Sequence, residues 1–282
     1  MSPLSDEGSN WIRTHEQARC ALGAVTQSGL LIKTRPWAGF ERGYRYFGHY
    51  AVVLLVKGRG DYEDDQGNRF ELKPGDMTLV FPDIGHKYGP HPGDVSHELF
   101  IVFDGPVFDS WYGAGVINTE HVRIRLGDPD TWAERLTRII EPEASTESAA
   151  LVEVTRTQEF LADALRSTEQ SSAAPGRSEW IQRASRLIDK TIMGSVDWDE
   201  VADELEVSTV TLRRRFREQL GFSPVTYRNR RIIGKACAMM QRTEMSDQAI
   251  ADALGFCDPQ YFSRCFKRVV GSSPRAYRAR LP

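Results

Sequence analysis

The sequence predicts an α+β multidomain chain: an N-terminal antiparallel β-barrel or sandwich with helices on its C-terminal side, then an all-α domain of two helix-turn-helix units joined by a long helix. Three observations predict it. Residues 30–103 carry short strand-like runs broken by turn residues. The apolar period then changes to the three- and four-residue steps of helices. Finally, the last hundred residues contain one pattern twice. At 282 residues, 40% hydrophobic and 27% charged, the chain suits about two globular domains with real cores.

In the first part, "YAVVLLVKG" reads as a largely apolar strand ending at Gly58. "DYEDDQGNRFEL" reads as a hairpin around Gln66 and Gly67, with Phe70 and Leu72 alternating on the return strand. "KPGD" puts Pro74 and Gly75 at the centre of a type II turn. "MTLVF" and "HELFIVF" supply further strands, and strands at this spacing with no helix between them belong to an antiparallel barrel or sandwich.

"DPDTWAERLTRII" begins a helix, with Asp128 as N-cap and Pro129 at its first position. "SAALVEVTRTQEFLADALRS" carries a stripe of Leu151, Val154, Leu161 and Leu165 interrupted by Gln158; it packs on its own domain or forms a dimer interface. "SSAAPGRS" is small, polar and structure-breaking, the composition of a linker. The resulting division is residues 1–125 as barrel, 126–170 as helical segment, 171–177 as linker and 178–282 as helical domain.

Charge divides along the same line. From Ser178 onward 18 Lys and Arg stand against 13 Asp and Glu, net +5; residues 1–177 hold the other 18 and 26, net −8. Contact with a polyanion is therefore expected of the C-terminal part alone. No apolar run approaches the ~18 residues of a membrane span, and "MSPLSDEGSN" lacks the order of a secretory signal. A cytoplasmic protein with no membrane partner is expected. Cys20, Cys237, Cys257 and Cys265 show no metal spacing and are expected to be buried free thiols.

The repeat aligns Val201, Ala202 and Leu205 with Ile250, Ala251 and Leu254 at an offset of 49. Leu212, Phe216, Gly221, Pro224, Tyr227 and Arg228 align with Phe262, Phe266, Gly271, Pro274, Tyr277 and Arg278 at an offset of 50, so a turn absorbs one added residue. A duplicated helix-turn-helix accounts for this. Asp197, Ser208, Ser246 and Asp258 stand at N-cap positions, Ser223-Pro224 and Ser273-Pro274 open further helices, and Gly221 and Gly255 end others. "PVTYRNRRIIGKACAMMQ" reads as a connecting helix ~27 Å long.

Each second helix has two faces. Leu212 and Phe216, like Phe262 and Phe266, recur at i, i+4 and face the core of their unit. Val210, Arg213, Arg214 and Arg217 lie on another face, with counterparts Gln260, Ser263, Arg264 and Lys267. Long donors, an amide and a small hydroxyl are groups that hydrogen-bond to base edges and phosphates of double-stranded DNA. The bland reading, a solvated helix face, does not explain two matched copies with matched caps.

With "IADALGF", "FSRCFKR" and "SPRAYR" in this order, the last hundred residues resemble the DNA-binding domain of the AraC/XylS family of bacterial transcription regulators. The resemblance implies two recognition helices in successive major grooves, about one turn or ~34 Å apart. It implies that Val210, Arg213 and Arg214, and Gln260, Ser263 and Arg264, face bases. Val210 departs from this chemistry, since an aliphatic side chain meets only a thymine methyl. It also implies a homodimer, and RNA polymerase as partner if the protein activates.

"LKPGD" and the P-x-x-G-H of Pro82 to His86 resemble the cupin-type barrel that the same family uses as a sensor, which favours an N-terminal cupin-like antiparallel β-barrel. Metal-dependent cupins carry a His-x-His and a Glu; here only His49 and His86 qualify, Glu63 is poorly placed, and neither metal nor cofactor is expected. Trp37, Tyr44, Tyr46, His49, Tyr62, His86 and Tyr88 offer flat faces with polar tips for an effector, with a sugar or related metabolite implied by the resemblance; each is equally at home as a core or rim residue. Two further readings compete: a cupin enzyme with secondary DNA binding, and a ligand-independent regulator whose barrel only dimerises.

Overall fold

The computed structural model describes residues 10–15, 19–34, 43–119, 121–140, 146–170, 179–190, 196–279 and 281. Trp37 and the expected linker, residues 171–177, lie outside them. The first part comprises β1 (Trp11–Thr14), β2 (Ala24–Lys33), β3 (Arg45–Tyr46), β4 (Tyr50–Lys57), β5 (Gly60–Asp64), β6 (Arg69–Leu72), β7 (Asp76–Val80), β8 (Gly85–Pro90), β9 (Ser96–Asp104), α1 (Pro106–Gly113), β10 (Arg123–Arg125), α2 (Pro129–Ile140) and α3 (Glu147–Gln170). Two antiparallel sheets face each other, one in the order β1-β2-β9-β4-β7-β10 and one in the order β3-β8-β5-β6.

The apolar run of β4 has a physical reason: both of its faces are covered. Tyr50, Val52 and Leu54 enter a core with Phe103, Phe108, Leu136, Val154 and Phe160, under the helices. Ala51 and Val53 enter a second core between the sheets with Val80, Phe100 and Val102. Period-two alternation persists, but each phase finds its own apolar layer. Gly75 is required at its turn: its φ is +87°, and a Cβ there would stand 2.1 Å from the carbonyl oxygen of Gly127.

Asp128 caps α2 by accepting from the backbone N–H groups of Asp130 and Thr131. On α3, Val154, Phe160, Leu161 and Ala164 are buried with the barrel core, so the stripe packs on its own domain. Leu151 departs from it and is 45% exposed.

The helical part comprises α4 (Glu179–Lys190), α5 (Trp198–Glu204), α6 (Thr209–Leu220), α7 (Pro224–Arg242), α8 (Asp247–Ala253), α9 (Pro259–Val270) and α10 (Pro274–Arg278). Every expected N-cap accepts backbone N–H groups of its helix: Asp197, Ser208, Ser223, Ser246, Asp258 and Ser273. The first core gathers Ile181, Ala184, Ile188, Val201, Leu205, Leu212, Phe216 and Tyr227; the second gathers Ile233, Cys237, Met240, Ile250, Leu254, Phe262, Cys265 and Phe266. Only Cys237 and Cys265 follow the expectation of burial; Cys20 is half-buried and Cys257 is exposed in the α8–α9 turn, where no core residue is required.

Gly221 ends α6 with φ +80° and has open space around its Cα. A Gly221→Ala substitution therefore meets no neighbouring residue, but its Cβ is strained against its own backbone at this positive φ, an expected destabilisation of about 1–2 kcal/mol. Gly221→Asn should recover part of it, because asparagine tolerates this conformation. Thermal unfolding of the three proteins checks both statements; equal midpoints would show that the left-handed cap carries no weight.

Candidate nucleic-acid interface and effector site

The capped turns set α6 and α9 so that one face of each is buried and the other open. Leu212, Phe216, Phe262 and Phe266 are buried, as their spacing requires. Val210 is 72% exposed, and Arg213, Arg214, Arg217, Gln260, Ser263, Arg264 and Lys267 are all exposed. Two of these arginines make ion pairs within their own helix region, Arg214 with Glu218 at 3.1 Å and Arg264 with Asp258 at 3.5 Å. Exposed pairs of this kind are worth little and exchange readily for phosphate.

The "RRRFR" run is not uniform, since Arg215 stacks over Trp180 at 4.9 Å and belongs to the packing of its unit. Sequence reasoning passed over Tyr261, which is 46% exposed beside Arg264. It also passed over α4, whose Trp180 and Ile181 complete the first core.

Both α6 and α9 bring their C-terminal ends near the barrel. A Cβ at Gly67, in the β5–β6 turn, would lie 3.3 Å from the carbonyl of Leu220 at the C-terminal end of α6. One at Gly43 would lie 4.0 Å from the carbonyl of Val270 at the C-terminal end of α9. Val210 and Gln260 stand in the first turns of α6 and α9, at the opposite ends of these helices, and both are exposed.

Of the seven aromatic and imidazole candidates, the six that lie among the described residues do not converge inside the barrel. Cross-strand register puts Tyr62 opposite both Tyr88 and Phe70, and His86 opposite Asp64, so Tyr62, His86 and Tyr88 share the inner face. Their rings stack in series, His86 at 6.3 Å from Tyr62 and 5.9 Å from Tyr88. Tyr44 turns outward instead and donates to Glu63 at 2.6 Å. Tyr46 also turns outward: it is buried in the core of the second helix-turn-helix unit and its hydroxyl donates to Asp65 at 2.6 Å. His49 is occupied by Asp104. The reason is the single-residue alternation of β3, which puts the neighbours Arg45 and Tyr46 on opposite faces.

The inner face holds polar groups that sequence reasoning missed. Lys33 and Glu98 form a buried pair at 2.6 Å, Ser96 donates to Glu98 at 3.0 Å, and the Lys33 ammonium stands 4.0 Å over the Tyr88 ring. Burial acts to lower the Lys33 pKa, but Tyr88 and Glu98 more than reverse it. For His86, burial first and the nearby Arg45 second push the pKa down to about 3. The neutral ring donates from Nδ1 to the carbonyl of Ile84 at 3.2 Å, leaving Nε2 as an acceptor. Among the described residues no group of three or more His, Cys, Asp or Glu side chains is placed to hold a metal ion.

A sensor barrel joined to two helix-turn-helix units defines a class: ligand-responsive DNA-binding regulators of transcription. Residues 30–161 match the family model described as the AraC-like ligand binding domain, and residues 201–280 match that described as a helix-turn-helix domain. The arabinose operon regulatory protein of Escherichia coli strain K12 is 26% identical over 235 residues, 82% of this chain and 80% of its own length. The HTH-type transcriptional activator RhaS of Escherichia coli O9:H4 strain HS is 40% identical over 83 residues, 29% of this chain and 30% of its own. A crystal structure of an apo lysine-to-alanine variant of ToxT from Vibrio cholerae strain SCE256 aligns with 96% of this chain and 100% of its own at 13% identity and a TM-score of 0.49. The chain belongs to the AraC/XylS family of transcriptional regulators, with a ligand-binding and a DNA-binding domain. Its relatives are regulators, so the cupin-enzyme reading falls. Among the described residues, no helix is long and apolar enough to cross a membrane.

Proposed function

We propose that α6 and α9 enter two successive major grooves of an operator, with Val210, Arg213, Arg214, Gln260, Ser263 and Arg264 toward base edges and Arg217 and Lys267 toward phosphates. The observation that carries this is the matched pair of open basic faces on helices whose opposite faces are buried. Arg264→Ala is expected to weaken binding by about 1–3 kcal/mol and to relax preference at one base pair. Binding of the wild type should fall steeply with salt. Fluorescence anisotropy against a selected operator and its point variants tests both. Uniform weakening across all variants would make Arg264 a phosphate contact.

The effector we propose is a sugar or related polyhydroxylated metabolite held between Tyr62, His86, Tyr88 and the Lys33–Glu98 pair. Stacking faces beside buried donors and acceptors suit such a ligand, and the relative whose name refers to arabinose spans most of this chain. Calorimetric titration of pentoses, hexoses and sugar acids tests it; no heat from any of them would favour a barrel that only dimerises. The domain limits given above, a cytoplasmic homodimer and contact with RNA polymerase by an activating form belong to the same proposal. Sedimentation of the full chain checks the dimer.

A further inference from the structure

The barrel and the helical domain meet along one face of α7. Arg230 donates to the carbonyl of Asp65 in the β5–β6 turn, and Gln241 Nε2 donates to that of Tyr46 on β3 at 3.0 Å. Arg242 pairs with Asp109 at 3.3 Å and lies 3.7 Å from Asp104. Between them Arg231, 4% exposed, has all three guanidinium nitrogens engaged. Its Nη1 donates to Asp83 at 3.0 Å, its Nε to Asp189 of α4 at 3.0 Å, and its Nη2 to the hydroxyl of Tyr112 on α1 at 2.8 Å.

These residues recur with the helical period and make one stripe. Gly234 sits in its middle, where a Cβ would stand 1.8 Å from the carbonyl oxygen of Asp83. Only glycine allows so close an approach of helix and loop. Nearer its N-terminus the same face gives Tyr227 to the first core, and the adjoining face gives Ile233, Ala236, Cys237 and Met240 to the second. The helix is thus held by three bodies, whereas spacing two helix-turn-helix units requires only two.

We propose that the Asp83–Arg231 contact, with Gly234 beside it, is a brace. The seated barrel holds the two units in the disposition that lets both recognition helices enter DNA together, and unseating it lowers affinity for a two-groove site. The proposal rests on the two-groove reading above. Bracing is favoured over blocking because Gly67 and Gly43 of the barrel approach the C-terminal ends of α6 and α9, while Val210 and Gln260, at the N-terminal ends, stay exposed. The loop of Asp83, residues 81–84, runs directly into β8 and His86, and His86 is hydrogen-bonded to Ile84. One short loop therefore joins the barrel interior to α7, a route by which occupancy of the barrel reaches the DNA-binding half.

Full-length wild type, Gly234→Ala and Asp83→Asn are to be titrated, with no small molecule added, against a DNA fragment selected from random sequence. The same titration is run on that fragment with one half scrambled, and small-angle scattering gives each protein's radius of gyration. Gly234→Ala raises helix propensity and removes no charge, so circular dichroism should show the helices retained. The expected result is an expanded radius for both variants and a loss of about fivefold or more on the intact fragment. Affinity for the scrambled fragment should stay within about twofold of wild type. Variants that do not expand, that bind the intact fragment as wild type does, or that lose equally on both fragments overturn the brace. A wild type that binds both fragments alike defeats the two-groove reading, and the brace with it.

Discussion

Replacing Arg231 with methionine is expected to destabilise the chain by about 3–5 kcal/mol, the scale for stranding one member of a buried ion pair. Burial alone would lower the Arg231 pKa, but the Asp189 and Asp83 carboxylates hold it well above the usual arginine value. The two partners fare differently once the guanidinium is gone. The side chain of Asp189 is 30% exposed and can regain water, whereas that of Asp83 is 5% exposed. Among the described residues Asp83 would keep the Tyr112 hydroxyl at 3.1 Å and the Lys235 ammonium at 3.9 Å.

The double variant Asp83→Asn with Arg231→Met should then recover more than half of the loss, because a buried pair is worth little over a neutral replacement that fits. Urea unfolding followed by circular dichroism, arranged as a double-mutant cycle, measures this coupling. A double variant as unstable as Arg231→Met alone would show that the lost hydrogen bonds to Tyr112 and Asp189 matter more than the stranded charge.

The second large effect is on acid stability, with His86 and Asp65 pulling in opposite directions. His86 must enter the folded barrel neutral: its pKa falls from 6.5 to about 3, through burial and then the neighbouring Arg45 and Lys33 cations. A depressed base contributes stability above its unfolded pKa and loses it as pH falls toward the folded value, here from 6.5 down to about 3. The full loss is about 5 kcal/mol at about 1.4 kcal/mol per pH unit.

Asp65 is the reverse case. Burial raises its pKa from 3.8 to about 6, partly offset by hydrogen bonds from Tyr46 and Gln66, raised again by Asp64 and lowered by Arg230. A raised acid stabilises fully below 3.8 and loses that contribution as pH rises toward about 6, a change of about 3 kcal/mol. Between these limits the two slopes cancel in the wild type. The stability advantage of Asp65→Asn over wild type should therefore grow with pH across this window, and that of His86→Asn should shrink. Chemical denaturation at pH 4.5, 5.5 and 6.5 reads both differences. Variants whose curves stay parallel to wild type would show that neither group titrates as its burial demands.

Much of the molecule was legible before any coordinates. The helix-turn-helix pair could be read because its signals are local: a cap side chain bonds to N–H groups two or three residues away, and a core face repeats every three or four positions. Asp197, Ser208, Ser246 and Asp258 each do in the fold what their neighbours in the chain require. The double burial of β4 was equally visible as an unbroken apolar run. By contrast, β1 and α1 were not read, being short, and α4 was passed over although Ile181, Ala184 and Ile188 recur at helical spacing.

What the tertiary structure alone decided is which groups meet across long stretches of chain. Tyr44, Tyr46 and Tyr62 look alike in sequence, yet a two-residue strand and its register send the first two outward and the third inward. Lys33 and Glu98 pair although 65 positions separate them, because β2 and β9 are neighbours in the sheet. Gly234 reads as a weak point in a helix until the loop of Asp83 is found against it. Local hydrogen bonding and periodicity are written in consecutive residues. Contact between distant segments depends on strand order and on how the barrel seats against α7, and neither leaves a mark on any single stretch.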